Sequence, residues 1–421
     1  TRILIGLGDS QTHIGDFDGA ASSLRAAWDL ARAATASPTQ ARQTAEIARR
    51  LGRGYERRAK YDDAMQWLES ALREMNRDVS SGHAVERVRI YLDIGWVHYR
   101  RGNLDEAEHW RLRALEISEG LDYYPEMGSA YNGLAALYNH KGDWTRAIEY
   151  ARRGLQVRET IGDIEGMSRS HSNLGAIHLN TGEWDKALPH LEQSLELKQR
   201  IGDAKQLALA QNNLGYYHLY KNNLSRARDL FNAARKHAEK IRDPNATCLA
   251  LNSLAQVEII ERNFDIAAAL LDRSIKLAEI SGVRDWLVEA EYLLAETALH
   301  RGALNEASKL ATHALRLAQE LGIRQTEANA LRVVGAVERA QHDWEGAEKH
   351  LTAALQISHD ASSIFEAARS ELELGQLYLD RGLVQQAHNL IQNSRATFER
   401  LGAVFYAQRA DAAMQTVPVL I

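Results

Sequence analysis

Residues 172–195 read "SNLGAIHLNTGEWDKALPHLEQSL", and forty residues on, at 212–235, stands "NNLGYYHLYKNNLSRARDLFNAAR". The two share Asn-Leu-Gly, an alanine twelve residues after that glycine (Ala187, Ala227) and a small residue seven further (Ser194, Ala234). Nearly everything else drifts. Carried outward, the pattern recurs ten times, anchored at Gly8, Gly52, Gly95, Ala135, Gly175, Gly215, Ala255, Ala295, Gly335 and Gly375, with a strict period of forty from Gly95 onward. Alanine follows twelve residues after every anchor, at 20, 64, 107, 147, 187, 227, 267, 307, 347 and 387. So uniform a position marks a packing constraint.

Between anchor and alanine lies a turn rich in Gly, Asn and Asp, followed by a bulky residue such as Phe17, Trp144, Trp184 or Trp344. Each unit therefore reads as helix, tight turn, helix, with the small residues letting the two helices cross closely. Ile161-Gly162-Asp163 and Ile201-Gly202-Asp203 mark joints between units, where glycine ends one helix in the left-handed conformation and aspartate caps the next. Pro38, Pro125 and Pro244 suit first helical positions, whereas Pro189 falls inside a helix, where it should remove a hydrogen bond and bend the helix locally.

Composition agrees with an all-α chain. Five prolines and 7% aromatic residues in 421 leave a sequence dominated by good helix formers, with no linker-like segment dividing it. The formal charge of −5 comes from 51 basic and 56 acidic residues interspersed along the chain, so no basic face for nucleic acid is expected. One cysteine, Cys248, excludes an internal disulfide and fits a reducing, cytoplasmic location. No apolar run is long enough for a membrane span.

Signatures of catalysis and of cofactor binding are missing: there is no phosphate loop, HExxH, paired-cysteine motif or GxSxG. His98, His178 and His218 share one slot in their units with Tyr138 and Tyr378. Equivalent slots on stacked units lie too far apart for shared metal ligation, so packing is the expected role, and neither a metal nor a cofactor is expected.

The Leu-Gly pair, the alanine, the small residue seven later and the bulky turn residue resemble the tetratricopeptide repeat family over nearly the whole chain. That resemblance implies a right-handed α-solenoid of ten helix pairs over residues 1–402, with a capping helix near 403–416 and a tail to 421. Units of forty rather than 34 residues lengthen each pair by roughly 9 Å in total. They resemble the long repeats of cell-polarity adaptors, kinesin light chains and bacterial signalling proteins in which such arrays follow a nucleotide-binding switch. Because the chain opens directly on a repeat, a covalently linked upstream domain is expected.

In this family the first helix of each unit lines the concave surface, so the resemblance places there a row of amides, Asn132, Asn139, Asn173, Asn180, Asn212, Asn213 and Asn252. An amide both donates and accepts, and a row of them can hold the main chain of an extended peptide. The same residues in a first helical turn could equally cap or face solvent. Arg89 and Arg169 could meet carboxylates of a ligand, and Tyr216, Tyr220 and Tyr292 could take apolar or aromatic groups. Later units bring Glu289, Glu296, Glu373 and Asp380, giving a groove expected to run from basic and amide-rich to acidic. The expected function is non-catalytic: a scaffold or sensor binding a protein or peptide segment, with neither nucleic acid nor membrane as partner. The alternative is a small-molecule inducer receptor in a nucleotide-switch regulator, with Trp96 and the same tyrosines stacking on the ligand.

Overall fold

The computed structural model describes residues 1–14, 16–33, 37–58, 60–76, 84–202 and 204–416, and every regular element among them is an α-helix. The first pairs are α1 (Arg2–Ile14) with α2 (Phe17–Arg32), α3 (Pro38–Arg57) with α4 (Tyr61–Asn76), α5 (Ala84–Arg100) with α6 (Leu104–Gly120) and α7 (Tyr124–Lys141) with α8 (Trp144–Ile161). Then come α9 (Ile164–Asn180) with α10 (Trp184–Ile201), α11 (Ala204–Tyr220) with α12 (Leu224–Lys240) and α13 (Pro244–Ile260) with α14 (Phe264–Ser281). The last are α15 (Arg284–His300) with α16 (Leu304–Leu321), α17 (Arg324–Ala340) with α18 (Trp344–Asp360) and α19 (Ile364–Asp380) with α20 (Val384–Leu401), followed by α21 (Val404–Gln415). Odd-numbered helices up to α19 carry the anchors and even-numbered ones the alanines, as the spacing predicts.

Packing divides the chain into two units, Thr1–Ser170 and His171–Ile421, with the division inside α9. Each is an α-solenoid of stacked helix pairs. In the first, Leu24, Ile47, Leu51, Leu68, Ile90 and Ile94 build the apolar core. In the second, one core gathers on α15 to α17 around Val288, Leu293, Leu317 and Val333, and another on α19 to α21 around Phe365, Leu372, Ile391 and Phe398.

The repeated small residues sit where helices cross. Ala64, Ala107, Ala147, Ala187 and their later equivalents are fully buried. At the anchors, size is set by the residue sixteen positions on. A methyl group on Gly335 would fall 2.6 Å from Leu351 Cγ and 3.1 Å from the Ala347 carbonyl; one on Gly8 would fall 2.7 Å from Leu24 Cγ. Glycine anchors thus face Leu, Ile, Phe or the stem of Arg111, whereas Ala135 and Ala295 stand opposite Ala151 and Ala311. Ala255, opposite Leu271, departs from this rule, and nothing in the structure explains it.

A residue in the left-handed region recurs every twenty positions from Gly102 to Gly402, so the turn within a unit and the joint between units are closed alike. Gly162 and Gly202 are among them, and the Asp163 carboxylate accepts from the Gly166 N–H at 2.9 Å as the expected cap. The corresponding cap at Asp203 lies outside the described residues, as does the tail 417–421. Pro125 and Pro244 open their helices, and Pro38 opens α3. Helix α10 runs unbroken through Pro189. The bulky residue after each inner turn is half-buried in every unit but one. Trp184 alone is covered, at 2% exposure, because side chains from far along the chain pack over it.

Candidate ligand-binding stripe

On each odd-numbered helix the residues six and three before the anchor, and one and five after it, are spaced by three or four and so lie on one face. In the second unit this stripe reads Asn212, Tyr216 and Tyr220 on α11, Asn252 and Gln256 on α13, Glu289, Tyr292 and Glu296 on α15, Arg332 on α17 and Arg369 and Gln376 on α19. Contacts between consecutive helices confirm that the stripe is shared. Gln256 Nε2 donates to the Tyr216 hydroxyl and to Glu289 Oε1, both at 3.2 Å. Ser253 Oγ donates to Asn212 Oδ1 at 3.0 Å, and Asn252 Nδ2 donates to the Trp286 carbonyl at 3.0 Å and to Glu289 Oε2 at 3.5 Å.

Asn212 and Asn252 are therefore buried and partly used in tying one repeat to the next. Each keeps one amide atom, Asn212 Nδ2 and Asn252 Oδ1, buried without a hydrogen-bond partner among the described residues. Asn173 and Asn213 are partly buried and Asn180 is exposed. In the first unit Asn132 and Asn139 are partly buried. There Arg89 pairs with Glu126 at 2.8 Å, and Arg169 pairs with Glu165 at 2.6 Å one turn back on its own helix. Trp96 is the most open aromatic of that unit's stripe; it stacks on Tyr99 and donates from Nε1 to Glu56 at 2.8 Å.

The acids of the later units do not form a bare negative surface. Glu296 lies 3.6 Å from Arg332 and 3.8 Å from Arg369; Arg369 also meets Glu366 at 3.2 Å, and Glu373 lies between Arg409 at 3.0 Å and Arg339 at 3.8 Å. Burial alone would push Glu296 up, but Arg332 and Arg369 outweigh it and bring the carboxyl down to about 2. Glu289 is the exception: no Lys, Arg or His nitrogen lies within 4 Å of it among the described residues. Burial drives its pKa up to about 7, with the polar groups of Asn252 and Tyr216 offsetting part of that and Glu366 adding to it. Burial likewise pushes the Tyr216 and Tyr292 hydroxyls well up, with Glu289 adding to the shift in both.

At one end of the stripe the second unit closes on itself. Trp184 stacks on Tyr220 with centroids 5.1 Å apart, and Phe365 of α19 meets both, at 5.6 Å from Trp184 and 4.9 Å from Tyr220. Phe365 in turn packs on Tyr406 of α21 at 5.1 Å, and the Arg369 guanidinium lies over Tyr406 at 5.2 Å. A methyl group on Gly182 would come 2.6 Å from Leu401, so the α9–α10 turn needs its glycine both for φ +74° and for this approach.

Sequence reasoning missed Arg332, Arg369, Phe365 and the second role of Trp184. Arg332 and Arg369 occupy stripe positions, three and six before their anchors, and that register was the available signal. No group of three or more His, Cys, Asp or Glu that could hold a metal is found among the described residues, and none of their helices is long and apolar enough to cross a membrane. Burial lowers the pKa of His98 and His218.

The tetratricopeptide repeat profile matches residues 86–160 and 166–240, and a second profile of the same description matches 48–81. No curated protein sequence matches. Among solved structures, a Rap protein complexed with competence and sporulation factor superposes with a TM-score of 0.66 at 16% identity, over 86% of this chain and 98% of that one. Aspartyl phosphate phosphatase F from Bacillus subtilis gives 0.54 at 12% identity over 86% and 95%, and the apo form of RapI gives 0.52 at 18% over 66% and 99%. At such identities the likeness is one of fold. Residues 48–81, 86–160 and 166–240 are thus tetratricopeptide repeats, and the helix pairs beyond them keep the same residues at their crossings in the same period of forty.

Proposed function

We propose that this protein is a non-catalytic interaction module, a scaffold or sensor that takes an extended peptide or a partner helix along the stripe of its odd-numbered helices, within a larger bacterial signalling protein. The observation that carries this reading is the unmet hydrogen-bonding capacity of the stripe. Asn212 Nδ2, Asn252 Oδ1 and Arg332 Nε are buried without a hydrogen-bond partner among the described residues. Each such atom costs about 1–3 kcal/mol that a ligand's donors and acceptors would recover. Both a donor and an acceptor amide atom are left over, which suits a peptide main chain. The fold is shared with a Rap protein whose structure is a complex with competence and sporulation factor, which supports the reading by analogy.

A second reading, a receptor for a small-molecule inducer, is favoured by the closure of Trp184 and Tyr220 on Phe365, since enclosure suits a compact ligand better than an extended one. The test is selection from a random displayed-peptide library with wild type beside Asn212→Ala/Asn252→Ala/Gln256→Ala, after both are shown to have the same helicity at the assay temperature. Peptides enriched by wild type and lost by the variant support the peptide reading. Equal enrichment places the site elsewhere, and no enrichment by either transfers the weight to the small-molecule receptor.

A further inference from the structure

On the stripe face of α15, Glu296 has Arg332 and Arg369 beside it, whereas Glu289, two turns earlier, has no cation within 4 Å among the described residues. Its two oxygens receive only neutral donors: Gln256 Nε2 at 3.2 Å, Asn252 Nδ2 at 3.5 Å and the hydroxyls of Tyr216 and Tyr292. The amide that supplies the second of these has its own Oδ1 buried and unpartnered, so two acceptors stand together with no cation to share. Aromatic groups surround them: Tyr216, hydrogen-bonded to the same Gln256, packs at 5.8 Å on Tyr220, and Tyr292 stands one turn along α15 from Glu289. A carboxylate with a spare amide oxygen beside tyrosine faces is the chemistry that holds an ammonium or guanidinium group. The carboxylate and amide oxygen accept its N–H bonds, and the ring quadrupoles attract its charge in a site where water competes little.

We propose that the stripe around Glu289 is a subsite for an organic cation, with Glu289 and Asn252 Oδ1 as its acceptors and Tyr216, Tyr220 and Tyr292 as its walls. It deepens the binding reading above and rests on the same stripe. The cation is an arginine or lysine side chain of a bound peptide or a free amine or guanidine; the recognising chemistry is common to both. The neighbouring arginines explain why selectivity falls here: Arg332 and Arg369 neutralise Glu296, and Arg369 also neutralises Glu366, leaving one carboxylate for the ligand.

Calorimetric titration of the full chain tests this with four probes: methylguanidinium, putrescine, and blocked pentapeptides differing only in arginine or its neutral isostere citrulline. Wild type is compared with Glu289→Gln and with Asp285→Asn, an exposed acid on the same helix, after all three are shown to have the same helicity at the assay temperature. The expected result is binding of cationic probes by wild type and by Asp285→Asn, weakened ~10- to 100-fold in Glu289→Gln. Equal affinity of wild type and Glu289→Gln, or no binding of any cationic probe at millimolar concentration, overturns the proposal. Arginine and citrulline peptides binding equally well would sink the cation subsite while leaving the peptide groove intact. Methylguanidinium or putrescine binding without either peptide would keep the subsite and remove the peptide.

Should Glu289→Gln not fold, the pH profile of wild type decides. Affinity for methylguanidinium should rise from pH 6 to pH 8 as Glu289 ionises, the other titratable groups around it being Tyr216 and Tyr220 on α11, Tyr292 on α15 and Glu366 and Arg369 on α19. A flat profile overturns the proposal.

Discussion

The ammonium of Lys221 donates to the main-chain carbonyl of Leu401 at 3.2 Å although 180 residues separate them. Lys221 also pairs with Asp185 at 3.1 Å and lies over the Trp184 ring, so one cation joins the α11–α12 turn, the first turn of α10 and the end of α20. The second unit is thus held at its two ends as well as between neighbouring repeats.

Phe365→Ala should open that closure. Truncating a buried phenylalanine costs about 3–5 kcal/mol, and here the lost partners include Trp184 and Tyr220. Amide hydrogen exchange should therefore quicken in α10 and α11, far along the chain from the substitution. Quickening confined to α19, α20 and α21 would show that the contact contributes nothing to order in α10.

Glu289 and Glu296 should respond to pH with opposite signs. Glu289 has a folded-state pKa of about 7 against an ordinary glutamate value of 4.5, so the folded state holds its proton more tightly and stability falls as pH rises between those values, by roughly 3 kcal/mol in all. Glu289→Gln should then melt above wild type at pH 8 and level with it at pH 4.5. Glu296, held at about 2, contributes stability that is complete above 4.5 and is lost as pH falls through 2. Melting temperatures of Glu289→Gln and wild type that stay parallel from pH 5 to 8 would contradict the environment described for Glu289.

The anchor rule predicts compensation between Gly335 and Leu351. Gly335→Ala alone should cost about 1–3 kcal/mol by overpacking, and Leu351→Ala alone about 2–5 kcal/mol by leaving a cavity. Together they recreate the pairing of Ala135 with Ala151, so urea denaturation of the double variant should show a loss smaller than the sum. Simple additivity would mean that the two sites do not share the space the structure gives them.

At Ser362 the backbone is left-handed with φ +49° on an exposed side chain, while most of the equivalent turns use glycine. Ser362→Gly should raise stability by about 0.5–1 kcal/mol, the relief of strain exceeding glycine's entropic cost. Gly382→Ala, with φ +73° in open space, should lower it by a similar amount. Thermal melts of the two variants should move in opposite directions.

Helix pairing, the joints at Gly162 and Gly202 and the buried alanines were all legible in the sequence, because each depends on residues within one unit or its neighbour, where a fixed period displays them. The size rule at the anchors was equally present, in Gly335 with Leu351 against Ala135 with Ala151, but it shows only when position 1 and position 17 of a unit are read as a pair. The stripe was half legible. Glu289, Glu296 and Tyr292 stood out by residue type, whereas Arg332 and Arg369, which neutralise Glu296, looked like ordinary solvated arginines. Asn212 and Asn252 appeared available because a sequence does not show which face of an amide is spent on the next helix. The meeting of Trp184 with Phe365 was invisible, since a repeat register relates each unit to the next and is silent about how the last returns to an earlier one.

That return changes how the second unit must come apart. A linear stack of repeats frays independently from either end, one pair at a time. Here, loosening α19 to α21 withdraws Phe365, Phe398 and Leu401 from Trp184, Gly182 and Lys221, so damage at the carboxyl end is felt at once by α10 and α11. The unit should lose its structure as a single block rather than by peeling.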